Sequence, residues 1–141
     1  MTVDRDVASL KVGQSTHQVS IPVTLQRLVM EAGANRDLSL IHHDGEAARL
    51  TGARDAYANT FFLMGMCERL LREWMGPSGR IVKLGPLKMK AFNVVGDTLT
   101  FSGTVAEVDI ETQRCRLDLT VSTDSGPTAS CAAIVEMTRQ A

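Results

Sequence analysis

The 141-residue sequence is poor in aromatic residues and has no long apolar run. Phe, Trp and Tyr together make up 4% of it, so the core must be built from aliphatic residues and the seven Met residues. No apolar stretch approaches the roughly 20 residues of a membrane-spanning helix. The first six residues also lack the basic start and apolar region of a signal peptide. These absences predict a cytoplasmic protein with no membrane association.

Cysteine usage and net charge exclude further classes of protein. Cys67, Cys115 and Cys131 are scattered and contain no Cys-x-x-Cys pair, so neither a disulfide framework nor a zinc ribbon is predicted. We expect buried thiols in a reducing compartment. The formal net charge of -1 argues against a nucleic-acid partner, which favours a basic surface. The sequence indicates no metal site and no redox cofactor.

The length and composition are those of one globular domain. Hydrophobic residues make up 44% of the chain and charged residues 22%, which is ordinary for such a domain. We see no repeat, linker or low-complexity segment. The prediction is a single domain over residues 1 to 141, with residues 1 to 10 loosely held.

The first half of the chain favours a short strand and two helices. Alternating apolar residues predict a strand over residues 17 to 23. Thr24 is suited to cap a helix that runs to about Ala32 and ends at Gly33. Asp44 is suited to cap a short helix over residues 45 to 51, and His43 is expected to be exposed. The residues expected to face inward from the first helix are Leu25, Leu28 and Val29.

The second half predicts a long helix followed by a sheet. Residues 58 to 75 have the longest helical pattern and are apolar most of the way round near its start, which is typical of a buried helix. From residue 80 the period changes to two, and strands are predicted over 81–90, 98–108, 114–122 and 128–137. Residues 109–113 and 124–127 fit hairpin turns. The pattern predicts an α+β fold, with an antiparallel sheet wrapped around a long central helix.

One stretch joins a carboxylate and an imidazole at an unusual spacing. Asp37 and His42 are five residues apart, so they do not share a helix face and converge only if the chain bends. The apolar residues Leu38, Leu40 and Ile41 are expected to bury that bend. A carboxylate beside an imidazole can hold and deprotonate a water molecule. Spacing alone leaves open the alternative of a solvated aspartate and an unconnected histidine.

This stretch resembles a motif of the MaoC-like dehydratases and (R)-specific enoyl-CoA hydratases, Gly-Asp-x-Asn-Pro-(aliphatic)-His-x-Asp. The chain departs from the motif at Arg36, Ser39 and Leu40. Arg-Asp, four residues and His-His-Asp are similar to the small catalytic subunit of the heterotetrameric enoyl-CoA hydratases of steroid side-chain degradation. The resemblance covers roughly residues 20 to 110. The matching positions are Asp37, Ile41, His42 and Asp44, with weaker matches at residues 52–55, Asn59, Trp74, 76–78 and 97–103.

The resemblance implies a hotdog fold and a chemical role for several residues. It implies hydration of a trans-2-enoyl-CoA to a 3-hydroxyacyl-CoA, or the reverse, with Asp37 and His42 as catalytic residues that activate water. Asn59 and Thr60 stand where many family members have the His-Gly that begins the central helix, which implies that they stabilise the thioester oxygen and position substrate. A plain helix cap is the other interpretation of Asn59. Ser39 replaces the Asn of the motif and is expected to help position substrate. Coenzyme A thioester is then substrate, with a bulky steroid-type or long acyl group.

The resemblance also implies partners. Hotdog proteins of this family work as homodimers or as heteromers with a second MaoC-like chain, and we expect one of these assemblies.

A basic stretch is expected to bind the phosphates of coenzyme A, although a solvated strand edge is the other interpretation. Its members are Arg80, Lys83, Lys88 and Lys90.

Two other functions stay open. A hotdog acyl-CoA thioesterase generally uses a carboxylate without an Asp/His pair, so His42 counts against this function. A non-catalytic acyl-CoA-binding or scaffold subunit gains weight from the missing Asn and Pro of the motif. Enoyl-CoA hydratase, in the lyase class, is the function that the sequence favours.

Overall fold

The computed structural model describes residues 4 to 137. Within that range the chain forms three α-helices, which are α1 (Leu25–Ala34), α2 (Gly45–Arg49) and α3 (Thr60–Met75). It also forms five β-strands, which are β1 (Val19–Pro22), β2 (Gly79–Met89), β3 (Thr98–Asp109), β4 (Arg114–Thr123) and β5 (Gly126–Met137). The predicted strands and the long helix are therefore present, with ends that differ by a few residues.

The five strands form one antiparallel sheet in the order β1-β3-β4-β5-β2. Along β3 the buried positions alternate as predicted, because successive side chains of a strand point to opposite faces. Gly103 is one of them, and a Cβ there would lie 2.7 Å from the Cδ2 atom of Leu119. A larger residue at this position would therefore force the buried side chain of Leu119 to shift. The edge strand β2 accommodates Pro86 where its register with β5 shifts.

Helix α3 packs on the inward face of the sheet and forms the main hydrophobic core with it. The helix is not buried all round near its start, contrary to the prediction, because Phe61 is 64% exposed. Burial of a Leu-sized side chain contributes about 1.5–3 kcal/mol, so this face supplies much of the stability. The buried residues of α3 are Leu63, Met66, Cys67, Leu70, Leu71, Trp74 and Met75.

The N-terminal segment packs against the C-terminal end of α3, contrary to the expectation that residues 1 to 10 are loosely held. Val7 is fully buried and Leu10 is buried in the main core. The guanidinium group of Arg5 lies 5.2 Å from the centre of the Trp74 ring and also donates to the backbone carbonyl of Trp74. These contacts hold residues 4 to 10, whereas residues 1 to 3 lie outside the described part of the chain.

Helix α1 buries a narrower face than the sequence predicts. Thr24 caps it, as expected, by accepting a hydrogen bond from the backbone N–H of Arg27. Leu28 is buried, but Leu25 and Val29 are about half exposed, because they lie beside the line of contact with the core. The helix also continues past Gly33 to Ala34. No helix between residues 4 and 137 is long and apolar enough to cross a membrane.

Candidate active site

Asp37 and His42 meet in the structure. The Oδ2 atom of Asp37 lies 3.1 Å from the Nε2 atom of His42. The chain turns back after α1, where Arg36 adopts a left-handed φ of 55° and the backbone N–H of Asp37 donates to the carbonyl of Ala32. A 3-10 turn over Leu40–His42 then brings the imidazole to the carboxylate. The predicted bend is therefore confirmed.

The apolar residues of the bend are not buried, contrary to expectation. The side chain of Leu38 is 84% exposed and that of Leu40 is 57% exposed, while Ile41 is half-buried. The bend is held by hydrogen bonds instead of by packing. The backbone N–H of Ser39 donates to Oδ1 of Asp37 at 3.2 Å, a local turn that fixes the carboxylate. Ser39 is exposed and acts here through its backbone.

His42 is buried and oriented by Tyr57. Its Nδ1 atom lies 2.7 Å from the backbone carbonyl oxygen of Tyr57, and the two rings meet edge to face at 5.5 Å. A carbonyl only accepts hydrogen bonds, so Nδ1 must carry the proton. In the neutral ring Nε2 is then a free base, and in the charged ring it donates to Asp37. The nitrogen that is free for chemistry is therefore Nε2, on the side of Asp37.

The position of Tyr57 is fixed from both sides. Its N–H donates to the carbonyl of Ile41, and the adjoining backbone bridges to Val94 in the loop before β3. Asp44 caps α2 as predicted, since its Oδ1 atom accepts from the backbone N–H groups of Glu46 and Ala47. His43 is half-buried instead of exposed. Sequence reasoning missed Tyr57, because a backbone carbonyl leaves no signal in residue type.

Asp37 stays a carboxylate because its polar contacts outweigh its burial. Burial alone raises its pKa, but hydrogen bonds from the Asn59 side chain and the Ser39 backbone lower it, and so does the neighbouring His42. The net effect places the pKa of Asp37 below its ordinary value. The Nδ2 atom of Asn59 lies 3.1 Å from Oδ2 of Asp37, the oxygen that faces His42. A negatively charged oxygen is therefore presented beside the imidazole.

Asn59 also caps the long helix. Its Oδ1 atom accepts from the backbone N–H of Phe62 at 2.8 Å. The backbone N–H groups of Thr60 and Phe61 meet no acceptor within residues 4 to 137. They point out of the positive end of the α3 dipole, which is a favourable place for negative charge. The arrangement provides unpaired donors beside the Asp/His pair.

These groups line one cleft of about 260 Å³. Asp37 and His42 form its polar end, and the start of α3 forms another wall. Phe61 and Met89 add apolar surface to it. The remaining lining residues are Ile41, Tyr57, Ala58, Asn59 and Thr60. A cleft with an apolar wall and a few convergent polar groups is typical of a small-molecule site.

The predicted basic residues lie outside this cleft. Arg80 bonds through Nε and a terminal nitrogen to both carboxylate oxygens of Glu136, so its charge is already paired. Lys83, Lys88 and Lys90 are exposed on β2 and just beyond it. Between residues 4 and 137 no group of three or more His, Cys, Asp or Glu side chains is placed to hold a metal ion.

Part of the chain is similar in sequence to a subunit of a known hydratase. No protein-family model matches the chain. The beta subunit of 3-oxo-4,17-pregnadiene-20-carboxyl-CoA hydratase from Mycobacterium tuberculosis is 35% identical over 82 residues, which cover 58% of this chain. That match spans 63% of the relative, a little less than two thirds of its length.

Solved structures superimpose on nearly the whole chain. A chain in the crystal structure of the ChsH1-ChsH2 complex from Mycobacterium tuberculosis superimposes with a TM-score of 0.84 at 26% identity, and covers 91% of this chain and 98% of that one. The R-hydratase PhaJ1 from Pseudomonas aeruginosa has the same TM-score at 19% identity, over 96% of this chain and 86% of that one. An antiparallel sheet wrapped on one long helix with such neighbours is the hotdog fold. The chain is therefore similar in sequence to a hydratase subunit and in fold to MaoC-like hotdog proteins.

Proposed function

We propose that this chain hydrates a trans-2-enoyl-CoA to a 3-hydroxyacyl-CoA, or catalyses the reverse dehydration. The observation that carries the proposal is the 3.1 Å contact between Asp37 and His42 in a cleft at the N-terminus of α3. The relatives named above include a steroid-CoA hydratase subunit and an R-hydratase, which supports the same chemistry.

The Asp/His pair activates the water. As the water oxygen adds to C3 of the substrate, the pair takes one water proton and returns one proton to C2. It therefore ends the cycle in the protonation state in which it began. His42 acts through Nε2, because its Nδ1–H is held by Tyr57. General acid/base catalysis of this kind contributes about 10²–10⁴-fold to the rate.

The start of α3 stabilises the thioester oxygen. Negative charge builds on this oxygen as the water adds, so a fixed donor is needed most in the transition state. The free backbone N–H of Thr60 lines the same cleft as the pair and is the candidate donor. Asn59 holds both the helix start and Asp37, so it fixes the donor relative to the base.

The residues around the cleft indicate where each part of the substrate binds. The acyl chain runs against Phe61 and Met89, and both are exposed enough to accept a bulky group. The phosphates of coenzyme A meet Lys83, Lys88 and Lys90. Arg80 is left out of this group because Glu136 already neutralises it.

A second MaoC-like chain completes the site. Exposed apolar side chains surround the cleft, at Leu38, Leu40 and Phe61, and β2 leaves a free strand edge. Solved structures of the same fold are complexes of two chains, as in ChsH1-ChsH2 and in HadBC from Mycobacterium tuberculosis. We propose that a partner hotdog chain covers these residues.

The test is an assay of the purified chain, alone and co-expressed with a second MaoC-like chain, on short, long and steroid-type enoyl-CoA thioesters. A hydratase consumes the conjugated thioester absorbance and adds the mass of one water molecule. Release of free coenzyme A thiol would indicate a thioesterase. No turnover with any partner or substrate would indicate a scaffold, and either result contradicts the proposal. A homodimer that is fully active on short chains would exclude only the unlike partner.

A further inference from the structure

Glu31 lies on the face of α1 that meets the start of α3, outside the residues that line the cleft. Its Oε1 atom accepts from the backbone N–H of Asn59 at 3.4 Å, and its Oε2 atom accepts from the side chain of Asn35 at 2.9 Å. We infer that Glu31 is a positioning residue for the Asp37–His42 pair and acts through Asn59. The inference deepens the proposed function and rests on it.

Asn59 is the junction through which Glu31 acts. The two ends of its side-chain amide are both engaged, with Nδ2 on Asp37 and Oδ1 on the N–H of Phe62. These two bonds fix the orientation of the amide, and the bond to Glu31 fixes the backbone from which it projects. A shift of the Asn59 backbone therefore moves the donor to Asp37. Misplacement of a catalytic group by about 1 Å is enough to cost on the order of 10²-fold in rate.

Glu31 supplies a hydrogen-bond acceptor that α3 itself lacks at its N-terminus. In a capping box, a Glu or Gln at the third helical position accepts from the backbone N–H of the cap residue. The third position of α3 is Phe62, and its first turn has no acidic residue. Glu31 reaches across from α1 and accepts that N–H instead. A carboxylate at this end also interacts favourably with the helix dipole.

The electrostatics link Glu31 to the catalytic groups. Burial raises the pKa of Glu31, and hydrogen bonds from Asn35 and Asn59 partly offset this effect. The charge of His42 also lowers its pKa and that of Asp37 raises it, so Glu31 lies within the field of both.

Two near-isosteric variants test the inference. Glu31→Met keeps the length of the side chain but has no oxygen acceptor, whereas Glu31→Gln keeps an acceptor for the Asn59 N–H. With an enoyl-CoA that the wild type hydrates, we expect Glu31→Met to lower kcat about tenfold with KM within about twofold, since positioning acts on the transition state. Glu31→Gln should lose no more than about threefold. Glu111→Ala is the matched control, because the Glu111 carboxylate makes no hydrogen bond or ion pair between residues 4 and 137 and lies in the β3–β4 turn.

A second measurement does not depend on turnover. In NMR spectra of the free protein, the side-chain amide resonances of Asn59 and the ring resonances of His42 should move in Glu31→Met and stay in place in Glu111→Ala. Glu31→Ala replaces Glu31→Met if the latter does not fold. The inference is overturned if the folded variant keeps both the wild-type kcat and the wild-type Asn59 resonances, or if Glu31→Gln is as impaired as Glu31→Met. An inactive wild type would contradict the proposed function instead, and the NMR result would still decide the Glu31 link.

Discussion

The two ends of α3 differ in how fully the rest of the chain buries them. At the C-terminal end, Trp74 and Met75 are almost fully buried, and Arg5 of the N-terminal segment contacts both of them. At the N-terminal end, Phe61 is largely exposed, and a polar network takes the place of apolar packing. The contrast teaches that stability and chemistry are separated along one helix. From Leu63 to Met75 the helix packs into the core, and its N-terminal end lies beside the reactive groups.

The largest effect is expected from the Asp/His pair. Asp37→Asn and His42→Ala should each lower hydratase activity by about 10²–10⁴-fold, because both groups act on one water molecule. Circular dichroism should show a folded protein in each case. The double variant should be little worse than either single variant, because groups that act as a unit fail together. Activity within a few-fold of wild type in either single variant would contradict the assignment.

A matched pair of leucines tests the packing side of the comparison. Leu70→Ala removes a fully buried side chain of the main core and should lower the free energy of unfolding by about 2–5 kcal/mol. Leu38→Ala changes an exposed side chain of the bend and should change it by less than about 0.5 kcal/mol in the isolated chain. Urea unfolding measures both. Equal losses would mean that the bend is packed after all.

Thr60→Pro tests the backbone donor at the start of α3. Proline lacks the N–H but is tolerated at the first helical position, and the extended backbone of Asn59 suits a following proline. We expect kcat to fall about 10²-fold, as for the loss of an oxyanion donor, with a smaller change in KM. Thr60→Ala, which keeps the N–H, is the control. Unchanged kcat in a folded Thr60→Pro variant would move the donor elsewhere.

The smallest expected effect is on the stability of the protein at acidic pH. The pKa of Asp37 is lowered in the folded protein, so its charge stabilises the fold above its ordinary pKa of 3.8 and loses this effect as the pH falls through the lower folded value. Asp37→Asn should therefore be less stable than wild type near about pH 5, by no more than about 1 kcal/mol because the carboxylate is partly exposed. The difference should shrink below pH 3.8. Urea midpoints across this range measure it, and a difference that grows on acidification would reverse the sign.

The sequence by itself predicted the architecture and the central pair. Period-two alternation after residue 80 is a local property of each strand, and the helical pattern of residues 58–75 is a local property of the helix, so both appear in the structure. The predicted hotdog fold and the resemblance to MaoC-like proteins are confirmed, and the hydratase relatives support the predicted activity. The catalytic and CoA-binding roles of individual residues stay predictions.

The tertiary structure decided which faces are buried and what surrounds the pair. The periodicity of α1 made Leu25 and Val29 look buried, but burial depends on which element packs against a helix, and only Leu28 and Ala32 meet the core. Tyr57 and Glu31 were invisible in the sequence because they act over long separations, one through a backbone carbonyl and the other through the backbone of Asn59. A motif records residue types at fixed spacing. The hydrogen bonds that orient His42 and Asp37 cross between elements, and only the folded chain brings those elements together.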